Sequence, residues 1–169
     1  MALRDALLPE FETEMASTRR MLERVPESRL AFKPHPKSPT MTWLASHVAD
    51  IPGWVAETVN KDELDFAPEG KPAPKLTEVT SNAQLLEIFD RKVAAGHSAI
   101  AGVSDERLAG PWTLRMGSRV FFTMSRAQVL RSFVMNHLIH HRAQLGVYLR
   151  LNDVAVPGMY GPTADDRTN

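Results

Sequence analysis

The chain has no cysteine among its 169 residues, which excludes structural disulfides, thiolate metal ligands and a cysteine nucleophile. It also has no run of apolar residues long enough to span a lipid bilayer. The first ten residues lack the long apolar core of a signal peptide and soon become charged. A cytosolic protein is therefore the expectation.

Neither sign of charge is in excess. Lysine plus arginine and aspartate plus glutamate number 20 each, so the formal net charge is zero. Nucleic-acid binding generally needs a basic surface that neutralises phosphates, and this composition argues against it. The sequence also has no glycine pattern of the phosphate-binding type. Zero net charge leaves little repulsion to oppose self-association.

The length suits one well-developed hydrophobic core, so a single domain over residues 1–169 is expected. Apolar residues at helical spacing predict four helices. The first two are expected over about 2–25 and around His47, the third after Ser81, and the fourth up to about Leu151.

Prolines and small polar residues predict where these helices bend and begin. Pro9 predicts either a kink in the first helix or a short separate segment, and Pro52-Gly53 predicts a kink in the second. Ser81 is the expected N-cap of the third helix, and Thr123 or Ser125 that of the last.

Between the third and last helices, the segments 112–116 and 119–123 flank Gly117-Ser118, which predicts a β-hairpin. Two short strands cannot form a stable sheet alone, so the hairpin should be peripheral to the helical core. The predicted fold is an all-α four-helix bundle with a small peripheral β-hairpin before the last helix.

Two histidines lie one helical turn apart in the predicted last helix. On a wheel with about 100° per residue, His137 and His141 fall near the middle of an apolar stripe, and His140 falls on its flank. The stripe consists of Leu130, Phe133, Val134, Leu138, Leu145 and Tyr148. Buried imidazoles need polar partners, and one divalent metal ion can satisfy both rings of an i, i+4 pair.

A third ligand is expected from the second predicted helix, where His47 lies at the centre of an apolar face. That face consists of Trp43, Leu44, Val48, Ile51, Trp54 and Val55. Structural zinc sites usually have four protein ligands, whereas three ligands leave a position open for water or substrate. His47, His137 and His141 therefore predict a catalytic site for one divalent ion, with zinc or nickel favoured among the metals that imidazole suits.

Each histidine also has a simpler interpretation. A single buried histidine is commonly a packing residue with an ordinary hydrogen bond, and His-x-x-x-His spacings also arise by chance on helices. Three inward histidines would require three separate buried partners, which favours the metal site. His35, in a proline-rich loop, is expected to be solvated. His97 is expected to make a hydrogen bond at the partly exposed edge of the third helix.

Asp50 follows His47 by one turn, about 60° from the apolar face. It is a candidate to orient a ligand histidine or to act as a general base, and a solvated helix residue is an equally good interpretation. Position 138 holds leucine where a zincin motif has its glutamate base, so the metal would have to activate a water largely by itself. Arg142 and Asn136 point away from the centre of the stripe and are assigned no catalytic role.

The sequence resembles the DinB/YfiT-like superfamily of metal-dependent enzymes. The matching segments are residues 43–50 with His47, residues 136–144 with His137 and His141, and the tail over residues 154–162. The resemblance spans essentially the whole chain in the same order. It implies a four-helix bundle that binds a divalent metal through three histidines, and it implies a homodimer, because relatives commonly pair.

The resemblance implies less about the reaction, because characterised members include thiol transferases, an isomerase and proposed hydrolases. Three functions stay open. The first is a metal-dependent hydrolase or transferase acting on a small molecule, and the second an S-transferase or isomerase with a low-molecular-weight thiol cofactor. The third is a non-catalytic metal- or ligand-binding protein, which would have no organised substrate pocket beside the histidines.

Overall fold

A computed structural model describes residues 2–68, 71–72 and 75–166 of the chain. In chain order, its helices and strands are α1 (Leu3–Leu22), α2 (Met41–Asp50), α3 (Gly53–Asn60), β1 (Glu63–Asp65), α4 (Asn82–Gly102), α5 (Asp105–Ala109), β2 (Pro111–Met116), β3 (Arg119–Ser125), α6 (Arg126–Gln128) and α7 (Asn136–Arg150). A π-helical segment, Val129–Met135, joins α6 to α7, and 3-10 turns occupy Glu27–Arg29 and Ala164–Asp166.

The long helices close into the predicted four-helix bundle. Helix α4 packs against α1, α2 and α3, and α7 packs against α1 and α2. The core between them is apolar, and its most deeply buried side chains include Phe11, Leu44, Leu85, Phe89 and Leu138. The all-α bundle with a small sheet is therefore confirmed. No helix in the described part of the chain is both long and apolar enough to cross a membrane.

Prolines affect the first two helices differently. Helix α1 continues through Pro9, so the predicted separate first segment is wrong, although α1 ends at Leu22, a few residues earlier than expected. The prediction at Pro52 is confirmed, because α2 ends at Asp50 and α3 begins at Gly53. The backbone stays helical across the break, with an N–H of Trp54 that donates to the Ile51 carbonyl at 2.9 Å. This tightened turn places Trp54 close to His47.

Helix α4 begins where the sequence predicts, because the Ser81 hydroxyl accepts from the backbone N–H of Gln84 at 3.2 Å. Its crossing with α3 is unusually close at Gly96. A Cβ atom there would lie 3.0 Å from both the Phe11 ring and the Pro52 carbonyl. Glycine at this position is therefore what allows α4 to approach the break between α2 and α3.

The predicted hairpin is present as β2 and β3, and Gly117 takes a φ of 57° in its turn. The hairpin lies outside the main core and forms a second apolar cluster around Trp112, Leu114 and Val129. It is also joined by a strand that the sequence did not predict. Strand β1 pairs with β2 in parallel, with Leu64 opposite Leu114, which gives the sheet order β1-β2-β3.

Buried Arg126 ties this sheet to the bundle. Its guanidinium donates to the carbonyls of Thr58 and Lys61 at the end of α3, at 3.0 and 2.9 Å, and to the Pro111 carbonyl of β2 at 2.8 Å. It also pairs with Asp62. The last carbonyls of a helix lack partners within the helix, so a cation there is favourable. Arg126 thus has a structural role at the junction of α3 and the sheet.

The last helix begins as predicted and then departs from the prediction. Ser125 is its N-cap and forms a capping box with Gln128. The wheel placed Arg142 away from the buried stripe, and this is wrong, because Arg142 is only 2% exposed. Conversely, His137 and His141 are half-buried on the flank of the stripe rather than at its centre. The predicted stripe assumes α-helical spacing throughout, whereas residues 129–135, which include Leu130, Phe133 and Val134 of the stripe, are π-helical and turn less per residue.

Buried Arg142 belongs to a group that we call the arginine cluster, formed with buried Glu14 and Thr18 and with the hydroxyl of exposed Tyr160. Arg142 pairs with the Glu14 carboxylate at 2.8 Å and donates to the Thr18 hydroxyl at 3.1 Å. The Tyr160 hydroxyl accepts from Arg142 at 2.7 Å and donates to Glu14 at 2.9 Å. The tail after α7 is therefore anchored on α1.

Candidate metal centre

Three histidines from two helices meet at one side of the bundle, and we call them the histidine cluster: His47 from α2, and His137 and His141 from α7. The Nε2 atom of His137 lies 3.3 Å from Nε2 of His47 and 2.7 Å from Nε2 of His141. One ring nitrogen from each residue lies within 4.8 Å of the other two. The structure thus brings together the three residues predicted as ligands, in a group that could hold a metal ion.

The environment of the cluster favours neutral imidazoles. Burial, together with the His141 and His137 rings, lowers the pKa of His47 to about 4. Burial is also the main cause that lowers the pKa values of His137 and His141, and the nearby His140 adds to both effects. Because metals bind the neutral form of imidazole, the cluster is ready to act as a ligand set at neutral pH.

A hydrogen bond orients the His141 ring. Its Nδ1 lies 2.8 Å from Oε1 of Gln144, and an amide oxygen can only accept, so this contact places the proton on Nδ1. Nε2 of His141 is then the acceptor nitrogen of the ring, and it faces Nε2 of His137 at 2.7 Å.

Aromatic side chains line the histidine cluster. The Trp43 ring stacks on His47 with centroids 4.9 Å apart, and Trp54 lies 5.7 Å from His47 and 5.2 Å from His137. Phe133 stacks on Trp54 at 5.5 Å and contacts Phe122 of β3 at 5.3 Å. The sheet thereby supports one wall of the site, a role that the prediction of a peripheral hairpin did not include.

Asp50 lies beside the histidine cluster but bonds to other residues. Its carboxylate accepts from Nε1 of Trp54 at 3.0 Å and pairs with Nζ of Lys92 at 2.5 Å. Among the described residues it makes no hydrogen bond to a histidine ring. Asp50 therefore fixes the orientation of Trp54, and through Trp54 one wall of the site. The sequence signal for this Asp50–Trp54 contact is their spacing of four residues, which makes side chains neighbours on a helix.

The other histidines lie outside the cluster. His140 is exposed, and its ring meets His141 edge-on at 4.9 Å without joining the group. His97 bonds Glu12 at 2.9 Å with its side chain 46% exposed, as expected. His35 is exposed in its loop and accepts from the backbone N–H of Lys37, which confirms the prediction of a solvated residue.

A cavity of about 780 Å³ adjoins the site on the side of His47. It lies between the α2–α3 pair, α4 and the segment after β1. Its apolar wall includes Trp54, Leu64, Phe66 and Ile88, and its polar wall includes the Asp50–Lys92 pair, Arg91 and Lys75. Ligand pockets for small molecules commonly measure about 300–1,000 Å³. The size and mixed lining of this cavity suit a small molecule.

Comparisons with known proteins agree with this architecture. A DinB-like protein from Bacillus cereus superposes with a TM-score of 0.69 at 23% sequence identity, over 92% of this chain and 97% of that chain. A DinB-like protein from Bacillus subtilis, YjoA, superposes with a TM-score of 0.67 at 16% identity, over 91% of this chain and 97% of that chain. At these identities the similarity shows a shared fold. No curated protein sequence matches the chain at a significant level.

The sequence profile of the DinB superfamily matches residues 10–145, which run from within α1 to within α7 and include all three residues of the histidine cluster. That match covers most of the chain, and it agrees with the resemblance seen in the segments around His47 and His137. The chain belongs to the DinB superfamily.

Proposed function

We propose that this protein is a metal-dependent enzyme that acts on a small molecule. In this proposal His47, His137 and His141 bind one divalent ion, zinc or nickel, and the substrate occupies the adjoining cavity. The proposal rests on the convergence of three imidazoles: Nε2 of His137 lies 3.3 Å from Nε2 of His47 and 2.7 Å from Nε2 of His141, whose Nδ1 bonds outward to Gln144.

With its Nδ1 protonated, His141 turns a lone pair toward Nε2 of His137 at 2.7 Å, which calls for either a proton or a cation between the two rings. A hydrogen bond between the rings would satisfy only that pair and would leave His47 to a weaker contact at 3.3 Å. Two nitrogen ligands at about 2.0–2.1 Å from a zinc ion are about 3.3 Å apart at a tetrahedral angle. The distance between His47 and His137 matches this value, and His137 and His141 would move apart by about 0.6 Å to bind the same ion.

Three protein ligands support a catalytic role, because they leave a coordination position open. A bound ion with such an open position would act as a Lewis acid toward a water, a thiol or a carbonyl oxygen. The aromatic rings of Trp43, Trp54 and Phe133 pack against the histidine cluster and form an apolar wall beside it. We assign Asp50 to positioning, because both of its oxygens are engaged by Trp54 and Lys92 rather than free to accept a proton.

The cavity beside His47 supports an enzyme over a protein that only stores or carries metal. Its apolar wall suits the carbon body of a substrate, and its polar lining holds charges of both signs: Lys75, Arg91 and Lys92 beside Asp50, Glu57 and Asp65. Two versions of the reaction follow: a hydrolase or transferase that uses water or the substrate's own nucleophile, and a transferase that uses a low-molecular-weight thiol. Turnover of ester, amide and phosphate panels, with and without added thiol, would separate the two.

Elemental analysis of purified protein tests the metal proposal. The wild type should retain about one divalent ion per chain, and the single variants His47→Ala, His137→Ala and His141→Ala should each lose it. His140→Ala is the matched control, because His140 neighbours His141 but stays outside the cluster, and it should retain the ion. Stoichiometric metal in the triple variant, or its loss on replacing only His140, would contradict the proposed ligand set.

We also propose that the protein forms a homodimer. The net charge of zero opposes association only weakly, and helix α7 exposes Val147 and Leu151, at 59% and 56%, on its outer face. Light scattering at working concentration should give twice the mass of one chain, and a monomer would contradict this proposal.

A further inference from the structure

Gln144 lies on α7 three residues after His141, so their side chains are neighbours on the helix surface. Its amide oxygen is 2.8 Å from Nδ1 of His141. Gln144 itself is exposed and lies on the outer side of the imidazole, away from the nitrogen that faces His137. No sequence pattern assigned this glutamine a role.

A neutral imidazole has one proton and two nitrogens to carry it. The proton on Nδ1 leaves the lone pair on Nε2, where it points into the histidine cluster, and the opposite tautomer would point an N–H into the space that a metal needs. The Gln144 oxygen cannot donate, so its contact with Nδ1 favours the first tautomer.

We infer that Gln144 is a positioning residue that holds His141 in the metal-binding tautomer and orientation. The inference rests on the proposed function, because it concerns the same histidines. Gln144 acts through His141, and its amide faces the outer nitrogen of that ring. The acceptor is a neutral amide, whereas a carboxylate in this position would raise the basicity of the ring.

Three variants test the inference. Gln144→Leu removes the acceptor, Gln144→Glu keeps an oxygen acceptor in the same place, and Asn136→Leu is the control. Asn136 is another exposed amide on α7, but its oxygen accepts from Arg131 at 2.7 Å rather than from a histidine. The dissociation constant for Zn²⁺ is measured by competition with a chromogenic chelator.

Gln144→Leu should weaken Zn²⁺ binding by about 10–100-fold, the usual effect of removing the partner of a ligand histidine. Gln144→Glu should restore most of the affinity, and Asn136→Leu should leave it unchanged. A second measurement uses the metal-free proteins: ¹⁵N NMR of the histidine rings should show His141 protonated on Nδ1 in the wild type and a shift toward the Nε2-protonated form in Gln144→Leu.

The inference is overturned if Gln144→Leu binds Zn²⁺ as tightly as the wild type, or if His141 keeps the same tautomer without the amide. A wild-type protein that binds no Zn²⁺ would instead overturn the proposed function. The two failures are distinguishable, because the NMR measurement reads the tautomer of His141 without any metal present. Unchanged circular dichroism of the exposed-site variants excludes a loss of fold as the cause.

Discussion

Adjacent residues of α7, His141 and Arg142, belong to two polar clusters that satisfy their hydrogen-bonding groups in opposite ways. In the arginine cluster the donors of Arg142 meet the Glu14 carboxylate, the Thr18 hydroxyl and the Tyr160 hydroxyl, and opposite charges lie 2.8 Å apart. In the histidine cluster, three rings of the same kind bring one nitrogen each within 4.8 Å of the others. The arginine cluster is complete within the chain, whereas the histidine cluster is a group that could hold a metal ion.

Burial of polar groups alone does not identify a functional site. Arg142 is more deeply buried than any residue of the histidine cluster, and every partner it needs comes from the chain itself. The histidine cluster differs because its ring nitrogens face one another rather than partners of another kind, and because a cavity lies at its side. Buried polar groups normally find partners, so a group that faces only its own kind is the informative exception.

The largest effect is expected from breaking the complete cluster. Arg142→Met leaves the Glu14 carboxylate buried without its cation, and removing one partner of a buried ion pair costs about 3–5 kcal/mol of unfolding free energy. Chemical denaturation measures this loss. Arg150→Met is the control on the same helix, since its pair with Asp165 is exposed and worth no more than about 1 kcal/mol.

Arg142→Met should nevertheless retain one metal ion per folded chain, because Arg142 makes no contact with the rings of the histidine cluster in the described structure. Equal losses of stability in Arg142→Met and Arg150→Met would contradict the structural role of the arginine cluster. Loss of metal from a folded Arg142→Met protein would show that the two clusters are not separate.

A smaller effect is expected from removing the metal ion that we propose for the histidine cluster. The apolar core of the bundle is continuous without any metal, so the chelated protein should keep its helical signal and melt cooperatively at a lower temperature. At a free concentration of a hundred times its dissociation constant, the metal should contribute about 2.7 kcal/mol. Thermal melts with chelator, and after readdition of metal, measure the difference. A chelated protein without a cooperative transition would make the site structural.

The smallest effect is expected from pH in the metal-free protein. The pKa of His47 is lowered from 6.5 to about 4 in the folded state, so between these values the unfolded chain binds more protons. Stability should therefore be full above about pH 6.5 and should fall as the pH drops toward 4. His137 and His141 shift in the same direction. Partial exposure of the three rings weakens the effect.

Melts of metal-free protein at pH 7.5 and 4.5 measure this slope. His47→Phe, which cannot gain a proton, should have a flatter slope than the wild type. His35→Gln is the control, because it removes an exposed histidine outside the cluster. An unchanged slope in His47→Phe would contradict the assignment of the effect to the histidine cluster.

Features set by nearby residues were predictable from the sequence. Helical periodicity gave the bundle, Ser81 and Ser125 gave two helix starts, and Pro52-Gly53 gave the break between α2 and α3. The three histidines were also predictable, because each lies on or beside the inner face of a regular helix. Such signals depend only on residues within one or two turns.

Features that depend on distant partners were not predictable. Strand β1 is three residues long and exists because β2, far along the chain, pairs with it. Arg142 is buried because Glu14 neutralises it across 128 positions of sequence. The π-helical segment changed the rotation between Phe133 and His137, and a wheel that assumes an α-helix cannot include that change. The role inferred for Gln144 depends on which nitrogen of His141 bears the proton, and the sequence does not show this.

The positions of the tryptophans make the intrinsic fluorescence of the protein a probe of metal binding at the histidine cluster. Trp43 and Trp54 lie within 6 Å of the rings of the histidine cluster, whereas Trp112 packs against Phe122 in the sheet. A paramagnetic ion such as Co²⁺ or Ni²⁺ at the cluster should quench the emission of the first two indoles while the third keeps emitting. Titrations can thus be read from the unlabelled chain, with Trp112 as an internal reference.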